Sequence, residues 1–436
     1  MLKKISFLFL VVIVFVSCET KIQTDNIVTT DIDNFWTAYD KIQTTKDSVQ
    51  QMKYLKELFL DKGTTGLKAI MQVRRYKPSE YLEAINNYPK FWKSIRENTN
   101  SVHEYAEDIQ GGIDNFKKIY PDFKPAKVFF EIGVFRTGGT ALDSLVLIGS
   151  EIAMTDETVH TDELPQKLNN VKNLAKLNPV KDLAFLNVHE YVHTQQNVSW
   201  AYDLLSQSVF EGSAEFIAEI ATEKPSINTA IGYGIENDEK VKSKFEKEMF
   251  VQSVYNWIWN NTNNEFNTRD LGYYIGYAIV KKHYNKATDK EKAIKEIIEL
   301  DYTKPEVIEA FVESTAYFSK PLQYYKNEYE KNRPTVIGIE GLKNGSQNVS
   351  TSTTQFKVLF SNEMDQRFKS TGYGSLGADH CPQTISADFS QDGKSILYTI
   401  KKLKPNTEYE MVINFGYRTK RFFPLKPYTI KFKTAK

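Results

Sequence analysis

Within Val188-His189-Glu190-Tyr191-Val192-His193, two histidines stand four residues apart and a glutamate directly follows the first. On an α-helix this spacing stacks the imidazoles one turn apart on the same face, so a nitrogen of each ring can converge on one point. Two neutral imidazoles with a carboxylate suit a single zinc ion and leave a fourth position open for water. Glu190 is placed to reach that water and to take its proton as it attacks a polarised carbonyl. The chemistry expected of His189, Glu190 and His193 is therefore metal-assisted hydrolysis of a peptide bond. A pair of ordinary helix histidines is the plain alternative. The apolar run Leu183 to Val192 around the motif speaks against it, because such a helix is buried.

Two imidazoles rarely hold zinc alone, so a third ligand must come from elsewhere in the chain. Val209-Phe210-Glu211-Gly212-Ser213-Ala214-Glu215-Phe216 lies in the next helical stretch, which can return antiparallel after a turn near Trp200 to Asp203. Glu211 is the candidate ligand. Glu215, one turn further, either fixes the tautomer of a ligand histidine or faces solvent, and it would replace Glu211 if that residue failed. Glu219 is read as surface. A developing oxyanion needs a donor, and Tyr273 and Tyr277, on one face of the Leu271-Gly272-Tyr273-Tyr274-Ile275-Gly276-Tyr277 helix, can supply it. A tyrosine stripe equally fits a core, and His283 either donates in their place or packs. His103, His160 and His380 stand outside any ligand pattern.

The pair HEYVH and FEGSAEF resembles the gluzincin arrangement of zinc peptidases, especially the bacterial predicted zinc-dependent proteases in which E-G-x-A-E carries the third ligand. It is also similar to the aminopeptidase gluzincins, whose corresponding segment is N-E-G-F-A. Phe210 in place of the Asn sets the chain apart from that branch. The resemblance spans residues 125–285. It implies a zincin-like fold, one zinc ion on His189, His193 and Glu211, Glu190 as general base, and a peptide or protein substrate. Tyr273 and Tyr277 look like the tyrosines downstream in the similar proteases. The Ser144 to Ile152 segment (SLVLIGSEI) would be the edge strand that aligns an extended peptide.

The elements that must position these residues follow from pattern. Helical spacing of apolar residues runs through Phe35, Tyr39 and Ile42, through Met52, Leu55, Leu58 and Phe59, and through Tyr81, Ile85 and Tyr88 to about Tyr120. Lys127 to Val134 and Ser144 to Ile152 are rich in β-formers and are joined through a Gly138-Gly139 turn. Helices are expected over Leu183 to Val198, Leu204 to Thr222, Asp238 to Trp259, Leu271 to Tyr284 and Lys290 to Leu300. Beyond Arg333-Pro334 come short β-type runs without helices: Thr335 to Ile339, Thr354 to Phe360, Ser395 to Ile400, Tyr409 to Phe415 and Tyr428 to Lys433. That stretch, with VLFSNEMD and Leu403-Lys404-Pro405-Asn406-Thr407-Glu408-Tyr409, resembles bacterial Ig-like domains appended to surface enzymes. The expected fold is α+β: a mostly helical zincin-like domain with a small sheet over residues 31–332, then an Ig-like all-β sandwich over 333–436 acting as a spacer.

At 436 residues the chain exceeds one ordinary core, which agrees with two domains. Its 56 basic and 55 acidic side chains leave no basic tract for a nucleic-acid backbone, so nucleic acid is excluded as a partner. With only Cys18 and Cys381, a structural disulfide is not expected. Lys3 and Lys4, the apolar Ile5 to Val16 and the Phe15-Val16-Ser17-Cys18 site resemble a bacterial lipoprotein signal. The apolar stretch is shorter than the roughly 20 residues a spanning helix needs. Residues 1–18 are thus expected to be a signal with Cys18 lipidated. Residues 19–30 would be a polar tether, and the protein would be anchored in the cell envelope at the outer membrane. The competing function is a membrane-anchored binding or adhesion lipoprotein that keeps an inactive zincin-like fold.

Overall fold

The structure, a computed structural model, describes residues 26–196, 201, 203–251 and 253–436. The lipoprotein signal with Cys18 and the first part of the expected tether lie outside the described residues. The tether itself ends earlier than expected, because Ile27–Val28 (β1) is already a strand of the main sheet.

Six helices build the first layer: α1 (Thr30–Ile42), α2 (Ser48–Leu55), α3 (Thr65–Val73), α4 (Pro78–Asn87), α5 (Pro89–Asn100) and α6 (Ala106–Ile119). Local chemistry starts several of them. The Asp47 side chain accepts from the Val49 amide, and Thr64 accepts from the amides of Gly66 and Leu67. Pro78 opens α4 while Glu80 reaches back to the Lys77 amide. The small sheet follows as β2 (Lys127–Glu131), β3 (Gly139–Leu142) and β4 (Leu145–Gly149), in the spatial order β1-β2-β4-β3. β1, β2 and β4 run parallel; β3 returns antiparallel, pairing Gly139 with Ile148 and Leu142 with Leu145.

Two expectations change here. The Gly138-Gly139 pair does not simply join two strands, since Gly139 begins a third one. The SLVLIGSEI segment is also not the sheet edge: β4 is interior and β3 is the edge. Its last residues leave the sheet as the short helix α7 (Ser150–Ala153). Glu151 in α7 is buried and accepts from the amides of Gly133 and Phe135, which ties the chain leaving β2 to the end of β4.

After α8 (Asn169–Ala175) come the two central helices, α9 (Leu183–Gln195) and α10 (Leu204–Thr222). Both are buried on nearly every face, so their positions come from packing on all sides and not from one amphipathic stripe. α11 (Thr229–Glu236), α12 (Asp238–Phe245), α13 (Leu271–Lys286), α14 (Lys290–Ile298), α15 (Pro305–Thr315) and α16 (Leu322–Asn332) complete the helical domain.

The helix expected over Asp238 to Trp259 stops at Phe245. Tertiary hydrogen bonds take over the backbone that follows: the carbonyls of Met249 and Val251 accept from the Leu205 and Leu204 amides at the start of α10. Further on, asparagine side chains replace the helical ladder, with Asn261 and Asn264 accepting from the amides of Asn263 and Phe266.

Past Arg333, β5 (Val336–Glu340), β6 (Gln355–Phe360), β7 (Thr371–Tyr373), β8 (Thr384–Phe389), β9 (Ser395–Ile400), β10 (Glu408–Ile413) and β11 (Tyr428–Lys433) form two antiparallel sheets. Their orders are β5-β6-β9-β8 and β11-β10-β7. Strands β7 and β8 escape the pattern because their side chains are mostly half-exposed or exposed on both faces, so no apolar alternation marks them. The sheets share one core that includes Phe356, Val358 and Tyr398 from one and Met411, Ile430 and Phe432 from the other. The whole chain is thus mixed α+β. Among the described residues no helix is long and apolar enough to cross a membrane.

Candidate metal centre

α9 and α10 pack antiparallel, and their contact surface carries the motif. His189 and His193, one turn apart on α9, bring their Nε2 atoms within 3.2 Å of each other. Glu211 Oε2, from α10, lies 3.7 Å from His189 Nε2 and 3.4 Å from His193 Nε2. All three residues are largely buried. A tetrahedral zinc shell with bonds near 2.0–2.1 Å requires ligand atoms about 3.3 Å apart. The observed triangle fits that requirement without rearrangement, and among the described residues this is the group able to hold a metal ion.

The opposite nitrogen of each imidazole is accounted for as well. His193 Nδ1 lies 2.7 Å from the Gln196 amide oxygen, and Gln196 in turn donates to the Tyr302 hydroxyl, which is within 2.9 Å of Ser213 Oγ. His189 Nδ1 faces Glu215 Oε1 at 3.5 Å, an ion-pair distance and not a hydrogen bond. With Nδ1 of both rings directed at oxygen acceptors, the lone pair of each Nε2 is left for a metal. The remaining oxygen of Glu211 accepts from Gln207 Nε2 at 3.1 Å. Phe210 has its own place, stacking on His193 at 4.4 Å between ring centroids.

The electrostatics are those of a site made for a cation. Burial opposes charge on His189, but Glu211, Glu215 and Glu190 outweigh it and push the imidazole up to about 9. Burial likewise disfavours the Glu211 carboxylate, yet the two histidines hold it well below the usual range. Glu190 is raised by burial and by Glu211, against the opposing pull of His189, His193 and Arg74.

A cavity of about 1000 Å³ opens onto the triad. Glu190 and Tyr273 line it, as do residues 139–144 of the β3 hairpin, Arg74, Lys124 and Trp259. A Cβ on Gly139 would come within 2.7 Å of Glu190 Oε1, so only glycine lets the edge strand approach the glutamate this closely.

Tyr273 stacks over His189 at 6.3 Å, and burial raises its hydroxyl far above the ordinary value, so it is a neutral O–H donor. Tyr277 is not part of the site. Its hydroxyl donates to Glu219 at 2.8 and 2.9 Å and sits beside Lys281. One turn of α13 carries Tyr277 about 6 Å past Tyr273, and α10 runs alongside, so Tyr277 meets Glu219 instead of the His189, His193 and Glu211 group. Glu219 is correspondingly half-buried and partnered instead of lying free on the surface. His283 pairs with Glu296 and packs on Phe311, away from the triad. His103 and His380 lie near the Asn100 and Glu408 carbonyls, and His160 is exposed.

Sequence reasoning missed Gln196, Gln207, Tyr302, Arg74, Trp259 and β3. Of these only β3 left a signal, a Gly-Gly pair running straight into β-forming Thr140.

The glycines in the two motif helices serve packing. A Cβ on Gly212 would overlap the Tyr277 backbone nitrogen, and one on Gly276 would overlap the Ser208 carbonyl. α10 and α13 therefore touch backbone to backbone at these two positions.

Comparison with known proteins leaves this geometry to stand alone. No family model matches the chain, and no curated protein matches it significantly. Among solved structures it is similar to surface layer protein SbsC, domains 1–6, at 14% identity and a TM-score of 0.19. That match covers 76% of this chain and 46% of the other. The chain thus spans less than half the length of that structure, and a TM-score this low carries no conclusion about fold or function.

Proposed function

We propose that the chain is a zinc-dependent peptidase of the gluzincin kind, with His189, His193 and Glu211 as metal ligands. A C-terminal Ig-like sandwich and a lipid on Cys18 that tethers the protein in the cell envelope complete the proposal. The observation that carries the catalytic part is the ligand triangle, with Glu190 in the same cavity and an edge strand alongside. When bound there, zinc supplies Lewis-acid polarisation of a carbonyl and lowers the pKa of a coordinated water. Glu190 accepts the proton of the attacking water and returns it to the leaving amine. Tyr273, neutral and facing the cavity, donates a hydrogen bond to the carbonyl oxygen as negative charge develops on it. β3 is the terminal strand of the small sheet, and an extended peptide can lie along its outer edge. The Glu215 and Gln196 side chains keep the two imidazoles oriented.

The test separates binding from chemistry. Glu190→Gln keeps the shape and hydrogen-bonding capacity of the side chain but removes the base. Zinc content, measured on the purified protein by atomic spectroscopy, should stay near that of the unsubstituted chain, while peptide hydrolysis falls by at least about a hundredfold. Unchanged hydrolysis in this variant would end the assignment.

A further inference from the structure

Arg74 stands where α3 ends and lines the cavity together with Glu190 and Gly139, and its charge reaches the Glu190 carboxylate. Its Nε is buried and has no hydrogen-bond acceptor, and the guanidinium makes no hydrogen bond or ion pair with any described residue. Neighbouring Arg136 shows the contrast: it is paired with Glu80 and lies over the Tyr76 ring. A guanidinium carries five donors in a fixed fork that matches a carboxylate, and leaving a buried donor unmatched is costly. Of the site carboxylates, Glu211 is engaged with the two histidines, and Glu190 feels the Arg74 charge without a hydrogen bond or ion pair to it.

The position along the groove is also defined. Arg136 Nη1 donates to the Arg74 carbonyl at 3.3 Å, just before the chain enters β3 at Gly139, so Arg74 stands at the Glu190 end of the edge strand. At the other end, Lys127 bonds the Ser144 carbonyl, and the exposed Lys124 borders the cavity there. A peptide lying along β3 would present a group near its scissile bond to Arg74.

Resting on the peptidase reading, we propose that Arg74 is the anion-recognition residue of this cavity and that the substrate carries a carboxylate close to the scissile bond. Both a free C-terminal carboxylate and an aspartate or glutamate side chain have that chemistry.

Two sets of matched peptides distinguish these sources. One set compares a free-acid with an amidated C-terminus in peptides that contain no acidic side chain. The other compares Glu with Gln at successive positions in amidated peptides. Affinities are read by calorimetry on the zinc-loaded Glu190→Gln protein, so that no turnover is needed, and kcat/KM is read on the unsubstituted protein. The acidic member of one set should bind about ten- to a hundredfold tighter than its neutral twin. Arg74→Gln should collapse that ratio toward one, and Arg74→Lys should restore part of it. Equal binding of acidic and neutral twins overturns the proposal, as does a preference that survives in a zinc-retaining Arg74→Gln protein. Should Arg74→Gln fail to fold, the twin comparison on the Arg74-containing protein decides alone. If no peptide is cleaved but an Arg74-dependent preference is measured, the anion site stands and the hydrolytic reading falls.

Discussion

At the scale of single residues, the site divides into groups that would touch the metal and groups that hold them. His189, His193 and Glu211 form the triangle, so His189→Ala, His193→Ala or Glu211→Gln should sharply lower zinc content. Thermal stability should fall with it, since bound metal stabilises the folded state by mass action. Glu215 acts only through His189, at 3.5 Å from its Nδ1. Glu215→Gln should therefore weaken zinc binding by a smaller factor, about ten- to a hundredfold in affinity. A competition titration with a zinc chelator would rank the two glutamates, and a larger effect at Glu215 would show that the third ligand is misassigned. The tyrosines separate in the same way. Tyr273→Phe should lower kcat because it removes a donor in the cavity, whereas Tyr277→Phe breaks the contacts with Glu219 and Lys281, away from the triad, and should act on stability. The placement of these residues was legible in part. The histidine spacing and Glu211 could be read directly, but Tyr273 and Tyr277 look equivalent on a helical wheel and part company only because α10 runs beside α13.

Among the elements, the α10–α13 contact sets the tolerance of the site. Backbone meets backbone at Gly212 and Gly276, so a methyl group at either position must force the helices apart. Gly212→Ala or Gly276→Ala should destabilise the protein by about 1–3 kcal/mol, the usual cost of overpacking. Differential scanning of the zinc-loaded protein would show this as a lowered midpoint, and an unshifted midpoint would mean that the helices can separate freely.

The α7 connection gives the fold a pH dependence. Burial raises Glu151 from the ordinary 4.5 to about 7, despite its bonds from the Gly133 and Phe135 amides. The folded state therefore holds this proton more tightly than the unfolded chain does. The resulting stability is fully present below about pH 4.5 and is lost as pH rises toward 7, on the order of 3 kcal/mol in all. Glu151→Gln cannot ionise, so the difference in unfolding free energy between the two proteins should change in the variant's favour between about pH 5 and about pH 8. Denaturant unfolding at the two pH values measures it, and a constant difference would exclude the effect.

On the scale of the whole molecule, the β-domain is more than the spacer its strand pattern suggests. Phe423, from the hairpin before β11, is buried in the core of the helical domain and packs against the Tyr329 ring of α16 at 5.4 Å between centroids. Beside it, Arg421 binds Glu248 at 2.6 Å, and Glu248 also accepts from Trp257 Nε1 at 2.7 Å. This is the segment whose Met249 and Val251 carbonyls cap the start of α10, the helix that carries Glu211. Phe423→Ala should cost about 3 kcal/mol as a buried large-to-small change. A chain ending at Asn332 should be less stable than the full protein and hold zinc more weakly. A truncated protein with an unchanged unfolding midpoint and zinc affinity would restore the spacer role.

What the sequence determined by itself was local or periodic. The four-residue spacing of His189 and His193, the helix limits Leu204–Thr222 and the break at Arg333 each depend on residues close together in the chain, where helix geometry and backbone restriction act directly. What only the tertiary structure decided depended on the meeting of distant segments. β3 became the edge strand because β4 was enclosed between it and β2. The expected helix beyond Phe245 gave way because its carbonyls were worth more as caps on α10. Arg74 reached the metal cavity from more than a hundred residues upstream of His189, a juxtaposition for which no periodicity or motif exists.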